Sequence, residues 1–297
     1  MSHVVGIDIG GTAIKALAVT RAGEVIVDHS LPTGDDGTPA WIENVARIVT
    51  ELTTRTGGSP DAIGLSAPGM PSRDGLSIAS MPGRLLGLKN LHWEDLLGAP
   101  QPVPVLNDAQ AALLGEVWLG AARGIDHAFL LTLGTGVGGA ILADGRLLRG
   151  HLGRAGHLGH LSLNPFGEPD IVNTPGSLEQ AIGECTVAAR TQGRFTTTRD
   201  LVAAATAGDG FAAAKWDDSV RALAAAIAGL INVLDPEAVV IGGGIAAAGD
   251  ALFRPLQLHL DRFEWRPTGK GVRLLPATLG NRAGAIGAAR AALLSLS

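Results

Sequence analysis

The chain alternates short apolar runs with glycine-bearing turns, and its first two runs, Val4–Ile9 and Ala13–Val19, flank Gly10-Gly11-Thr12. The same arrangement returns at Leu130–Leu133 and Val137–Ile141, around Gly134-Thr135-Gly136. In both places a polar turn and a further apolar run follow, the turn being Arg21–Glu24 in the first and Ala143–Arg146 in the second. Each half is therefore predicted to open as strand, turn, strand, turn, strand. Connections this short join only antiparallel strands, because a parallel crossover needs a dozen or more residues. The repetition predicts two related half-domains. Their glycine turns would face each other across a cleft, where backbone N–H groups can approach a nucleotide's phosphates with no Cβ in the way.

Helical spacing of Trp41, Val45, Ile48, Val49 and Leu52 predicts a helix over Thr38–Arg55, with Thr38 and Pro39 as start signals. Ala62–Ala67 reads as a strand running into the loop Pro68–Pro71, and Val103–Leu106 as a strand that ends at Asn107-Asp108 before a helix over Ala109–Leu119. Residues 74–102 and 150–178 read as irregular, as cleft-lining segments of α/β proteins are. A helix resumes near Ser177, and Asp217–Leu234 is an amphipathic helix leading into the buried strand Ala238–Ile241, which Gly242-Gly243-Gly244 closes. Another helix, a strand over Val272–Pro276 and an alanine-rich helix over Ala283–Leu294 complete the pattern.

Composition narrows the classes. With 297 residues, 46% of them hydrophobic and 17% charged, the chain can bury two cores. The net charge of -5 and the lack of a basic run point away from nucleic acid and anionic membranes. One cysteine, Cys185, excludes an internal disulfide and a Cys-rich zinc site, fits a reducing cytoplasm, and reads as a small residue on a helix. Strand-like sequence begins by residue 4 without a basic or apolar leader, and no uninterrupted apolar run reaches about 18 residues, so neither a signal peptide nor a membrane span is expected.

Each glycine motif admits more than one nucleotide fold. Gly134, Gly136 and Gly139 match G-x-G-x-x-G, but that fingerprint opens a helix, whereas Ala140–Ala143 reads as a strand. Gly242, Gly244 and Ala247, with Asp261 downstream, keep a dinucleotide site as a rival. A P-loop motif is absent.

Six segments in order carry a resemblance: Gly6–Thr12 with Lys15, Asn107-Asp108-Ala109 with Glu116, Leu133–Gly139, Gly156–His160, Leu178-Glu179 and Val240–Gly244. Together they resemble the ROK family of sugar kinases and sugar-responsive repressors, from residue 4 to the final helix. The resemblance implies a two-lobed α/β fold of the hexokinase/actin-like ATPase (ribonuclease H-like) type with an interlobe cleft. Residues 1–107, completed by the helix at about 283–297, would form a smaller N-terminal lobe, and 108–282 a larger C-terminal one. It also implies ATP and Mg²⁺ as cofactors, a small-molecule sugar or sugar-like polyol as substrate, and a cytoplasmic homodimer that binds neither nucleic acid nor membrane. Because the first phosphate loop begins so close to residue 1, the kinase branch is expected rather than the repressors with their N-terminal winged helix-turn-helix.

Carried over residue by residue, the resemblance makes Asp108 the catalytic base that accepts a sugar hydroxyl's proton; its alternative role is an N-cap. Asn107 resembles the family's sugar-binding Asn, and Asp8 the acidic residue near Mg²⁺, acting through water, or else a turn-supporting Asp. Gly10, Gly11, Thr12, Gly134, Thr135 and Gly136 would supply donors to phosphates. Lys15 matches a family position or is a solvated strand lysine, while Gly243 and Gly244 resemble the adenosine loop or form a tight strand-to-helix turn. Sugar contacts are implied for Gly69, the stretch Met81–Leu88, His157, His160 and Glu179.

Two departures concern the acceptor side. Where the family has Glu-x-Gly-His this chain has His157-Leu158-Gly159-His160, which opens the acceptor to an amino sugar, an epimer or a cyclitol. The family's zinc-binding Cys-x-Cys-Gly-x-x-Gly-Cys corresponds roughly to Asp170–Ser177, which has no cysteine, so no structural zinc site is expected. A metal site of His151, His157 and His160 is an alternative, and a non-catalytic sugar sensor is the rival from another class. Retention of Asp108 and both phosphate loops argues against the sensor.

Overall fold

The computed structural model describes residues 2–81 and 83–296; residue 82 of the Met81–Leu88 stretch and residue 297 of the closing helix lie outside them. In chain order the elements are β1 (Val4–Ile9), β2 (Ala13–Val19), β3 (Val25–Pro32), α1 (Trp41–Thr56), β4 (Ala62–Ala67), β5 (Met70–Pro71), β6 (Ile78–Ser80), α2 (Glu94–Leu97), β7 (Val105–Asn107) and α3 (Asp108–Leu119). Next come β8 (Ala128–Leu133), β9 (Val137–Ala143), β10 (Arg146–Leu147), α4 (Leu178–Ile182), α5 (Val187–Arg190), α6 (Thr198–Thr206), α7 (Gly210–Leu234), β11 (Ala238–Gly242), α8 (Asp250–Phe263), β12 (Arg273–Pro276) and α9 (Ala283–Leu294).

Two compact units result, one of Met1–Gly124, Leu147–Ala155 and Thr278–Ser297, the other of Ile125–Arg146 and Gly156–Ala277. Each carries a five-stranded mixed sheet, in the order β3-β2-β1-β4-β7 in the first and β10-β9-β8-β11-β12 in the second. Both open with the antiparallel pair flanking a glycine turn, Ile9 opposite Ile14 and Leu133 opposite Val137. This is the α/β fold that the glycine pattern predicted, built twice.

In the first unit, period-two alternation along β1 decides what reaches the site. Val5, Ile7 and Ile9 point to one face, where they pack with Trp41, Val45, Ile48 and Leu52 of α1. Val4, Gly6 and Asp8 therefore share the other face, which α9 covers. There the helix lies so close that a Cβ on Gly6 would be 1.9 Å from the Ala285 carbonyl, and one on Gly64 of β4 would be 2.1 Å from that of Ala288. The alanines and glycines of α9 are what allow this approach; they leave no bulk between helix and sheet.

α3 packs in the first unit, whose opening segment runs to Gly124. A Cβ on Gly287 of α9 would be 1.7 Å from the Ala111 carbonyl of α3, so the two helix backbones nearly touch. The fully buried Glu116 of α3 then accepts from the Thr278 and Leu279 N–H groups at 2.9 Å and from the Ala121 N–H at 2.7 Å. A buried carboxylate is tolerable only with such donors. Those donors fix α3 to the chain entering α9.

Several short elements lie outside the sequence pattern: the β5–β6 hairpin, α2, α5 and α6, and α7 begins at Gly210, ahead of the expected Asp217. Gly6→Ala or Gly287→Ala is expected to destabilise the protein by roughly 1–3 kcal/mol in urea unfolding, since a methyl there must displace backbone. Gly58→Ala, whose Cβ would meet nothing within 4 Å, should change it by less than about 0.5 kcal/mol.

Candidate active site

The first glycine turn is held by its carbonyls. Thr33, fully buried, donates its N–H to Thr12 O at 3.0 Å and its hydroxyl to Gly10 O at 2.6 Å, while Gly10 N–H bonds to Ala13 O at 3.0 Å. Among the described residues the N–H groups of Gly11 and Thr12 have no backbone acceptor. A turn whose Gly10 and Thr12 carbonyls are engaged while two successive N–H groups stay unpaired is suited to seat an anion.

Beside it stand two carboxylates of the same unit. Asp8 lies opposite Lys15 on β2 and Ser66 on β4, and accepts from Ser66 Oγ at 2.7 Å. A Cβ on Gly284, in the first turn of α9, would be 2.5 Å from the Asp8 carboxyl carbon, so only glycine leaves room for this side chain. Burial pushes the Asp8 carboxyl above its ordinary value against the lowering effect of the Ser66 hydroxyl; the negative charge of Asp108 raises it further and Lys15 opposes. Lys15 thus neighbours Asp8 across the ladder, on the face that α9 covers.

The end of β7 divides two roles between adjacent residues. Asn107 is the N-cap of α3: its Oδ1 accepts from Ala109 N at 2.9 Å and Gln110 N at 3.3 Å, and Gln110 Oε1 accepts in return from Asn107 N at 3.3 Å. Its Nδ2 donates to Gly69 O at 3.2 Å. The amide expected to bind sugar is thereby largely engaged by its own helix and by the Pro68–Pro71 loop, with one amide hydrogen left to donate. Asp108, which could have been that cap, is the first residue of α3, solvent-exposed at the carboxyl end of β7, with Oδ1 accepting from Ala109 N at 2.8 Å.

In the second unit the other glycine turn obeys the same logic. Gly134 O accepts from Glu184 N and Thr135 O from Cys185 N, both at 2.9 Å, and Thr135 and Gly136 N–H have no backbone acceptor among the described residues. Glu179 braces the turn: its Oε2 accepts from Val137 N at 3.0 Å and would be 2.3 Å from a Cβ on Gly136. Of the expected sugar carboxylate, one oxygen is therefore committed to the turn. Gly243, at φ +88°, lies under the end of β8, where a Cβ would be 2.3 Å from Leu133 O. Cys185 is exposed, in the short 3₁₀ segment Glu184–Thr186.

A cavity of about 790 Å³ opens beside this turn, lined by Gly134, Thr135 and Gly244, and by α6 with Ile245, Ala247 and Ala248. Its size is that of a small-molecule site. Glu184 joins its parts, since its N–H holds Gly134 O while its carboxylate accepts from Thr198 N at 2.9 Å and from the Thr198 hydroxyl. The signal for α6 was present in Thr197-Thr198-Arg199-Asp200: Thr197 Oγ1 accepts from Asp200 N at 3.1 Å and donates to its carboxylate at 2.8 Å, a capping pair before an apolar run. The dinucleotide rival fails here. Asp261 sits at the far end of α8, bonded at 2.8 Å to Gln257 and to Arg266.

His157 precedes a 3₁₀ turn, Leu158–His160, and both histidines are half-buried. His160 Nδ1 is 2.8 Å from Asp170 Oδ2, and the Asp170 side chain is only 1% exposed. A carboxylate only accepts, so Nδ1 carries the proton and the neutral ring's remaining acceptor is Nε2. Asp170 Oδ1 also accepts from Val172 N at 3.0 Å and Thr174 N at 2.9 Å, closing the loop Asp170–Ser177 on itself. Burial alone would raise this carboxyl, but the bonds from His160, Thr174, Ser177 and Val172 outweigh it and hold it down at about 2. Among the described residues no group of three or more His, Cys, Asp or Glu is placed to hold a metal, so His151, His157 and His160 do not form one.

The ROK family model matches residues 4–294 of the chain. A glucokinase of Halalkalibacterium halodurans is 36% identical over 315 residues, covering 95% of this chain and 92% of that protein. Among solved structures, a ROK hexokinase from Thermus thermophilus is similar with a TM-score of 0.85 and 32% identity, over 99% of both chains. A ROK family glucokinase from Streptomyces griseus in complex with glucose and AMPPNP is similar with a TM-score of 0.75 and 28% identity, over 98% of this chain and 99% of that one.

The Asp170 network makes a pH-dependent contribution to stability. Its folded pKa lies below the unfolded value, so the contribution is present above about pH 4 and lost as pH falls towards 2; at 1.36 kcal/mol per unit it is worth about 2 kcal/mol. Asp170→Asn should lose that amount in urea unfolding at pH 7, with the gap to wild type narrowing below pH 4. A gap constant with pH would contradict the assignment.

Proposed function

The chain belongs to the ROK family, and on that premise we propose that it is an ATP-dependent sugar kinase with Asp108 as general base and a hexose primary hydroxyl as acceptor. The observation that carries this reading is the division of labour at the end of β7. Asn107 caps α3 and leaves the exposed Asp108 carboxylate at its first residue, in the same unit as the first anion seat.

Phosphoryl transfer asks little covalent chemistry of a protein and much positioning. The second unit's cavity, with an apolar wall of Val202, Ala203, Ile245 and Ala248, suits a purine, and the unpaired N–H groups of Thr135 and Gly136 suit the phosphates beside it. The likeness to the Streptomyces griseus protein, which was solved with AMPPNP, supports ATP as donor. The Gly11 and Thr12 N–H groups offer the first unit's phosphate contacts. As the sugar oxygen attacks the terminal phosphorus, the bond to the leaving ADP oxygen breaks and Asp108 takes the hydroxyl proton.

Asp8 fits a role near Mg²⁺. Its carboxylate is a hard oxygen ligand, its ionisation is disfavoured by burial and by Asp108, and a nearby dication would relieve both. Among the described residues no group of three or more His, Cys, Asp or Glu gathers to cage a metal, which suits one that keeps its waters and binds mainly through substrate phosphates. When bound, Mg²⁺ neutralises phosphate charge.

On the acceptor side, His160 Nε2 and the second Glu179 oxygen can accept from sugar hydroxyls, and His157 adds an imidazole. Glucose is the first candidate, from the likeness to the named glucokinases. The Asp170–His160 hydrogen bond supports a loop organised without zinc. The family also supports a homodimer, and the single cysteine a cytoplasmic setting.

ADP release measured against a panel of hexoses, amino sugars and cyclitols tests the reading. At least one hexose should be turned over, and Asp108→Asn should lower kcat by about 100-fold or more with the fold intact. No turnover on any sugar, or full activity in the variant, would sink it. Analytical ultracentrifugation should give about twice 30.2 kDa, and a monomer at micromolar concentration would contradict the dimer.

A further inference from the structure

An arginine that the sequence did not single out lies on the first glycine turn. A Cβ on Gly11 would be 2.3 Å from Arg84 Nη2, 2.9 Å from its Cζ and 3.4 Å from Nη1, so the guanidinium occupies the space that the missing side chain leaves. Arg194, Arg221 and Arg266 each hold a carboxylate, but among the described residues none lies within ion-pairing distance of Arg84. Its place is set by the two leucines after it. Leu85 is buried at φ +52°, a backbone state that a leucine rarely adopts, and its N–H bonds to Asp35 Oδ2 at 3.2 Å. Next to it, Leu86 O accepts from the Trp41 indole at 3.0 Å.

An unpaired guanidinium and two unpaired N–H groups thus belong to one turn. We propose that Arg84 is a catalytic residue that binds the terminal phosphoryl group of the nucleotide against Gly11 and stabilises its charge during transfer. The inference rests on the kinase reading above and adds a residue to it. Arginine suits the task because its planar fork can hold two phosphoryl oxygens and it stays ionised. As the sugar oxygen bonds to phosphorus and the bridging oxygen departs with ADP, Arg84 tracks the transferred group while the hydroxyl proton goes to Asp108. Gly11 contributes its N–H as any residue but proline could, but only glycine leaves the vacancy at Cα that seats the guanidinium.

Two measurements on Arg84→Ala, Arg84→Lys and Gly11→Ala test this. With saturating sugar, Arg84→Ala should lower kcat about 10- to 100-fold with the sugar KM within threefold, and Arg84→Lys should recover only part, lacking the fork. Gly11→Ala should also lower kcat, and adding it to Arg84→Ala should cost less than the product of the two separate losses, since they share the guanidinium's seat. By calorimetry, Arg84→Ala should weaken AMPPNP binding about 5- to 10-fold and leave ADP binding unchanged. A kcat within twofold of wild type, or equal effects on AMPPNP and ADP, overturns the role. If the wild type turns over no sugar while the AMPPNP-specific loss persists, the kinase reading fails and the phosphoryl contact stands. The side chain is exposed, so unchanged thermal unfolding should accompany every result.

Discussion

Carbonyl oxygens held from behind are what turn two ordinary glycine hairpins into anion seats. A hairpin turn exposes donors and acceptors alike, and an exposed carbonyl repels a phosphate as strongly as an N–H attracts it. In the first turn Thr33 takes the Gly10 and Thr12 carbonyls, and in the second the backbone of Glu184 and Cys185 takes those of Gly134 and Thr135. That leaves the Gly11, Thr12, Thr135 and Gly136 N–H groups without a backbone acceptor among the described residues. The two solutions use different chain segments for the same electrostatic end, one a threonine just past a strand and the other a short helical turn.

Much of the surrounding architecture serves that end. Glycines at 6 and 64 let α9 lie on the sheet, and this packing brings the first turn of α9 against Asp8, at the site end of the same strand face. Glu116 then locks α3 to the segment entering α9, which fixes Asp108 relative to Asp8 within one unit. In the second unit Glu184 couples the glycine turn to α6, and so couples the phosphate seat to the wall of the cavity. The carboxylates that perform these links are structural; Asp108 is set apart by its exposure.

What the sequence made legible was whatever depends on local order. Strand pairs around Gly10–Thr12 and Gly134–Gly136 can be read from short connections, and α9 from its alanines, with Ala283 and Leu294 as its observed ends. Asn107 could have been read as a cap from Gln110 three residues on, and α6 from Thr197 and Asp200; both are signals spanning one helical turn. Contacts made by folding were beyond such reading. Nothing near Arg84 in the chain announces that it lies on Gly11, and nothing near Glu116 announces Thr278. The partner of α3 is likewise the far end of the chain, through Gly287 and the Thr278 and Leu279 N–H groups.

Residue-resolved amide hydrogen exchange, with and without AMPPNP, tests most directly the claim that both turns hold phosphates through unpaired N–H groups. Slowed exchange at Gly11, Thr12, Thr135 and Gly136 together, with α1 and α8 unaffected, is the result this account requires. Nucleotide binding that protects other segments and leaves these four amides unchanged would contradict it.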